Sequence, residues 1–253
     1  MEGLDAASLA ASVEAAAGRI QGHVFRTPLQ HSPYLSGEAN AEVYLKLESE
    51  QVTGSFKARG AMNKVLGLAE AADATKLGSG LFSASTGNHA LALTHAVTAG
   101  HIPEGTETTI FVSHKTAPSK VANLRLVGAP IELHGDDAEE AETYARAVAE
   151  QRGGVFVSPY NDLDIIAGQG TIGVEILEQL PALDAVFVAA GGGGLLAGIA
   201  AYLKHAKPSC KVIGCSVSQP AASVAYLRGA APPCAWPWPW PLLLASTCRP
   251  AAG

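Results

Sequence analysis

Hydrophobic positions along this chain alternate between a helical and a strand period, and the changes fall at glycines and prolines. Leu9 to Ile20 is rich in alanine and repeats at helical spacing. Thr27-Pro28 ends that pattern, because a residue before proline avoids the helical region. Glu42 to Leu47, EVYLKL, alternates as a strand. The stretch Thr53 to Gly60, TGSFKARG, then sets a ring and two cations between glycines and leads into a helical run, Ala61 to Ala69. From Gly80 the order is strand (Leu81 to Ala84), polar turn (Ser85-Thr86-Gly87-Asn88) and helix (His89 to Ala99). It repeats through strands at Thr109 to Val112, Pro130 to Leu133, Val155 to Val157, Ala185 to Ala190 and Val212 to Cys215. The intervening helices run over Ser119 to Leu126, Asp137 to Gln151, Ile165 to Leu180 and Leu195 to His205.

Such alternation with short turns predicts an α/β fold, a parallel sheet with helices on both faces. The units form two groups, Gly80 to Gln151 and Val155 onward, joined through Gly153 and Gly154. Two sheets with a cleft between them is the expectation, with one large doubly wound sheet as the alternative. After Gly229 the pattern stops. Pro232-Pro233 and then Trp236-Pro237-Trp238-Pro239-Trp240-Pro241 remove backbone donors at every second position, which forbids both a helix and a central strand.

Composition narrows the setting. The chain has 253 residues, 48% of them hydrophobic and 16% charged, as in a well-packed globular protein. Net charge is −6, and the only charges after Asp184 are the cations Lys204, Lys207, Lys211, Arg228 and Arg249. That arrangement offers no face for tracking phosphates, so nucleic acid is excluded as a partner class. No apolar run reaches the roughly 20 residues that cross a bilayer, and the first residues lack the pattern of a secretory signal. Cys210, Cys215, Cys234 and Cys248 lack metal-binding spacing, and two lie in strand-like context where a reduced, buried thiol is usual. A reducing compartment, the cytoplasm, is expected.

Three stretches carry candidate chemistry. A strand (Ala185 to Ala190) runs into Gly191-Gly192-Gly193-Gly194 and a helix beginning near Leu195. Glycines let backbone N–H groups converge and the helix start adds partial positive charge, which makes an anion site suited to a phosphate. Gly192-x-Gly194-x-x-Ala197 also matches a dinucleotide fingerprint, but the acid expected about 20 residues later is missing. A tight turn without a ligand is the plainer alternative. Ser85-Thr86-Gly87-Asn88-His89 occupies the same strand-to-helix position, where hydroxyls, an amide and helix-start donors suit a carboxylate or ring oxygen, or simply cap the helix. Lys57 beside Phe56, if desolvated, becomes an amine able to form a Schiff base. A phosphate site, such a lysine and a carboxylate site together suggest pyridoxal phosphate and an amino acid.

At GSFKARGA, SASTGNHALAL, IAGQGT and GGGGLLAGIA the sequence resembles, in order and spacing, the serine racemase and threonine (serine) dehydratase branch of the fold type II pyridoxal-phosphate enzymes. The likeness covers roughly Arg26 to Cys215. It implies two open, doubly wound α/β/α domains of the tryptophan synthase β-subunit-like class. Residues 1–79 and 152–229 would form an incomplete large domain and 80–151 a small one, with 230–253 a tail foreign to the family. By the same resemblance Lys57 is the Schiff-base lysine with Phe56 beside the cofactor ring, and Asn88 bonds the ring's phenolic oxygen. Gly191, Gly192, Gly193, Gly194 and Leu195 hold the phosphate, while Ser85, Thr86, Asn88 and His89 receive the substrate carboxylate. The implied reaction is β-elimination of L-serine or L-threonine to a 2-oxo acid and ammonia, with serine racemisation ranked second, in a homodimer.

Departures from the family pattern refine this expectation. Thr86 stands where racemases of the branch carry a serine as acid/base on the opposite face, which favours dehydration. Ser216 and Ala222 replace the expected carboxylates of a divalent-cation site, so no metal is expected there. The family's later segments, including a serine or cysteine partner for the pyridine nitrogen, match nothing after Arg228. The resemblance therefore implies a C-terminally shortened chain, and a non-catalytic, cofactor-binding or regulatory product is the alternative reading.

Overall fold

The computed structural model describes residues 5–71, 77–99, 102 and 105–216. Ala222, Cys234, Cys248 and the whole tail 230–253 lie outside them. The chain divides into two compact units, Arg19–Ile165 and Met1–Gly18 with Ile166–Gly253. The architecture is α/β, as the alternation predicted.

In the first unit, β1 (Leu29–His31) and β2 (Tyr44–Lys46) pair antiparallel, Leu29 opposite Lys46. Sequence alone gave β2 but neither β1 nor α2 (Pro33–Ala39) between them. Helix α2 is a short, locally specified element. Ser32 Oγ caps it by accepting from Leu35 N, Pro33 opens it, and Asn40 closes it in the left-handed region at φ 49°. A 3₁₀ turn, Glu48–Glu50, leads through the TGSF segment into α3 (Lys57–Glu70).

The main sheet of this unit is parallel, in the order β5-β4-β3-β6, with β3 (Leu81–Ala84), β4 (Thr108–Val112), β5 (Ile131–Leu133) and β6 (Val155–Phe156). Leu81, Ile110 and Val112 join a core with Met62 and Val65 of α3, Leu93 of α4 (Asn88–Thr98) and Leu124 of α5 (Pro118–Leu126). Phe82 and Phe111 pack with Ala141, Ala145 and Val148 of α6 (Ala138–Arg152). The period of two along β3 and β4 thus feeds two cores, one on each side of the sheet.

One boundary expected from the sequence needs correction. The sequence pattern groups Val155–Phe156 with the strands that follow, yet β6 pairs with β3 through Leu81↔Val155 and Phe82↔Phe156. Gly153 and Gly154 are therefore the turn between α6 and β6 inside one sheet unit. Gly153 caps α6 at φ 67°.

The second unit contains the residues of α1 (Ala6–Arg19) up to Gly18, α7 (Leu163–Gln179) from Ile166, β7 (Ala185–Ala189), α8 (Gly194–Ala206) and β8 (Lys211–Cys215). Strands β7 and β8 are parallel and in register from Ala185↔Lys211 to Ala189↔Cys215. Helices α7 and α8 meet through two glycines: a β-carbon on Gly198 would stand 2.7 Å from Gly170 N, and one on Gly170 would stand 2.9 Å from Gly198 O. No larger residue fits either position without separating the helices. No described helix is long and apolar enough to cross a membrane.

Candidate active site

Lys57 opens α3, with Phe56 at the N-cap. Its Nζ donates to the carbonyl of Pro159 and lies 5.2 Å from the centroid of the Phe56 ring. Burial alone pushes its pKa down from 10.5 to about 8, because a desolvated ammonium with no neighbouring carboxylate loses its advantage over the neutral amine. The lysine is thus both anchored and partly deprotonated near neutral pH, as an amine nucleophile requires. Ser55 Oγ and Thr53 Oγ1, just before it, are buried polar atoms with no partner. Unsatisfied buried hydroxyls are uncommon, and each calls for a partner such as water or a ligand.

The other cations of α3 are treated differently. Arg59, fully buried, makes a bidentate pair with Glu48, Nε to Oε2 and Nη2 to Oε1, both at 2.8 Å. Thr27 Oγ1 donates to the same carboxylate at 2.6 Å. This pairing fixes the segment before Lys57 to the helix that Lys57 begins. Sequence reasoning missed it; the cue was an arginine beside a glycine on an apolar helix face, a position where only a paired cation is buried.

The turn Ser85 to Gly87 lies between β3 and α4, and the helix begins at Asn88, one residue earlier than predicted. Gly87 and Asn88 are exposed and Ser85 and Thr86 half-buried. No side chain caps α4, although Ser85 Oγ accepts from Gly87 N at 3.3 Å. The first-turn N–H groups of Asn88, His89 and Ala90 have no helical carbonyl to reach and suit an anion.

His89 is the exception among the candidates in this loop. Its ring is buried at 2% exposure, with Nε2 donating to the carbonyl of Val157 at 3.2 Å. Burial, then the charge of Lys57, push its pKa down to about 3, so the ring is neutral. What His89 can present to a carboxylate is its backbone N–H, not its imidazole. The register of β6 explains this: Val157 N donates to Phe82 O at 2.7 Å, which brings the Val157 carbonyl to the start of α4. Within this unit, then, Lys57 and His89 are tied to neighbouring carbonyls of one segment, Val157 to Pro159.

In the second unit, Gly191 to Gly193 connect β7 to α8, which begins at Gly194. Gly193, at φ 88°, is the N-cap in a conformation that side chains rarely adopt, and this is what turns the chain from strand to helix. A β-carbon on Gly191, which is exposed, would meet nothing within 4 Å, whereas Gly193 and Gly194 at the helix start are buried. The N–H groups of Gly194, Leu195 and Leu196 occupy the first turn. Ser216, one of the two positions read as lacking a metal-binding carboxylate, follows β8 directly, and Ala222 is outside the described residues. Cys210 is buried and Cys215 exposed, both as free thiols; of the two cysteines in strand-like context only Cys210 is the buried kind expected.

Comparison with known proteins decides the family. Residues 20–239 match the family described as pyridoxal-phosphate dependent enzyme. The chain belongs to that family. It is 42% identical over 205 residues to an L-threonine ammonia-lyase of Thermotoga maritima, covering 81% of this chain and 49% of that one. Among solved structures it resembles the processed form of threonine deaminase isoform 2 from Solanum lycopersicum, with a TM-score of 0.78, 30% identity, and coverage of 90% of this chain and 61% of that one. It also resembles serine racemase from Dictyostelium discoideum, with a TM-score of 0.77, 30% identity, and coverage of 87% and 69%. The chain spans about half the length of the first of these relatives and about two thirds of the others. The family uses pyridoxal phosphate, and the donors present fit it. A desolvated amine suits covalent attachment to a carbonyl carbon, a glycine run at a helix start suits a phosphate, and two buried hydroxyls without a partner among the described residues, Thr53 and Ser55, precede the amine in the chain. Family membership also removes the dinucleotide reading of the glycine run.

Proposed function

We propose that this chain carries the core of a pyridoxal-phosphate-dependent ammonia-lyase acting on L-serine or L-threonine, giving a 2-oxo acid and ammonia. The observation that carries the reading is Lys57, desolvated with no carboxylate beside it at the head of α3. When bound, the cofactor supplies an electron sink for the pair left on the substrate's Cα. Lys57 Nζ would hold the cofactor and would be the base for the Cα proton. A pKa near 8 leaves about a tenth of such amines neutral at pH 7, against less than one in a thousand at the ordinary value.

The other residues bind and orient. Gly191, Gly192, Gly193, Gly194 and Leu195 receive the phosphate through backbone N–H groups. Phe56 would lie beside the ring and Asn88 would bond its phenolic oxygen. Ser85, Thr86 and the helix-start N–H groups of Asn88 and His89 receive the substrate carboxylate. Thr86 Oγ1 would be the second proton donor, which makes serine racemisation the secondary activity. The water lost with the β-hydroxyl returns in hydrolysis, so the net products are a 2-oxo acid and ammonia. The setting is cytoplasmic, in keeping with the free thiols of Cys210 and Cys215. The functional assembly is a homodimer, and neither nucleic acid nor a membrane is a partner. For the domains, we infer that 80–151 together with β6 makes the small one and 1–79 with the residues after β6 up to 229 the cofactor-binding portion.

The test is 2-oxo acid formation by the purified chain with pyridoxal phosphate and L-threonine or L-serine. Product that vanishes in Lys57→Ala supports the reading. Cofactor attachment without product from either amino acid reduces the chain to a binder.

A further inference from the structure

The segment that leaves β6 holds two nitrogen bases, Lys57 and His89. Val157 O accepts from two side chains, Ser83 Oγ at 2.8 Å and His89 Nε2 at 3.2 Å. Two residues on, Pro159 O accepts from Lys57 Nζ. Ser158, between them, is buried, and its Oγ accepts from Asn161 N at 2.9 Å, which folds the segment into a fixed turn. The Val157 carbonyl can only accept, so Nε2 of His89 must carry the proton. The ring is then the Nε2–H tautomer with a bare Nδ1, and Nδ1 is buried without a partner.

We propose that His89 is a positioning residue for Lys57: by holding the Val157 carbonyl it sets the course of Val157 to Pro159 and so aims the Pro159 carbonyl at Nζ. A second proton on His89 would place two cations together in a buried place, with desolvation and Lys57 acting in the same direction. Lys57 is the only charged group that acts on the ring among its described surroundings, and the ring stays a donor to Val157 across the range in which Lys57 titrates. A side chain that merely filled space here would do without the N–H. The inference rests on Lys57 being the reactive amine, but it concerns the chain before any cofactor binds.

It is therefore tested on the full chain without cofactor. Nitrogen NMR on histidine-labelled protein, with His89 assigned by its loss in His89→Gln, should show the Nε2–H tautomer unchanged from pH 5 to 9. The Lys57 amine is followed by trace reductive methylation with labelled formaldehyde. Removing the N–H in His89→Leu should free the segment, admit water to Nζ and cut the reactivity of Lys57 at pH 7 at least tenfold, while His89→Gln, which keeps an N–H, retains most of it. Ser83→Ala, which removes the other donor to the Val157 carbonyl, should move Lys57 the same way by less, and it supplies the answer if His89→Leu does not fold. An Nδ1–H tautomer overturns the proposal. So does Lys57 reactivity unchanged in folded His89→Leu, or lost equally in His89→Gln, or, where His89→Leu does not fold, unchanged in Ser83→Ala. Failure of Lys57 to take up pyridoxal phosphate would sink the proposed function and leave these readings intact.

Discussion

Two lysines on α3 show how one helix makes one cation reactive and another structural. Lys57 and Lys64 are two turns apart and both largely buried. Lys64 Nζ meets two carboxylates, Asp162 Oδ2 and Asp164 Oδ2, each at 2.8 Å. Burial would lower its pKa, but the charges and hydrogen bonds of the two aspartates outweigh that and raise it. Lys57 meets a neutral carbonyl, and burial wins. The difference is in what the segment after β6 presents: carbonyls at Val157 and Pro159, then carboxylates at Asp162 and Asp164. A buried lysine is held as a cation where an acid reaches it and gives up its proton more readily where none does.

The largest effect that could break this contrast is chemical. Lys57→Ala should abolish covalent uptake of pyridoxal phosphate, read as absorbance that survives gel filtration, whereas Lys64→Ala should keep that absorbance. Next is Arg59, the third cation of the helix. Arg59→Met leaves the half-buried Glu48 carboxylate with Thr27 Oγ1 but without its cation, and chemical denaturation should show a loss of about 2–3 kcal/mol.

The pH dependence of the two lysines should have opposite signs. Lys57 titrates near 8 in the native state against 10.5 when unfolded, so the unfolded chain holds more protons between those values and stability attributable to Lys57 rises with pH across that window. Lys64 is raised above 10.5, so its contribution is complete below that value and disappears as pH passes its native pKa. Denaturation curves of Lys57→Met and Lys64→Met against the parent chain from pH 7 to 11 check both signs. The smallest effect expected is that of Asp162→Asn. It leaves Lys64 with one carboxylate and weakens the acceptor of the Asp164 and Ile165 N–H groups at the start of α7, at a cost of about 1–2 kcal/mol.

Much of this was legible in the sequence. The Ser-Phe-Lys stretch, the polar turn before α4 and the glycine run before α8 were readable because each sits where a strand period gives way to a helical one. The glycines of IAGQGT and GLLAGIA were readable as a pattern, but not as the close crossing of α7 and α8, since contact between helices leaves no local period. What escaped depends on register. Three apolar residues, Val155 to Val157, fit either sheet equally well. Only the pairing of β6 with β3 decides which, and that pairing turns the Val157 carbonyl to His89 and the Pro159 carbonyl to Lys57. Likewise β1 is too short to announce itself, and the Glu48–Arg59 pair joins a 3₁₀ turn to a helix across a loop with no fixed spacing.

The most direct test of the central claim, that Lys57 alone among the described lysines is prepared to react, is borohydride trapping of the full chain with pyridoxal phosphate at neutral pH, followed by peptide mapping. The account predicts one reduced adduct, on the peptide bearing Lys57, with the Lys64 peptide unmodified. An adduct on Lys64, an even spread over several lysines, or no adduct at Lys57 would contradict it.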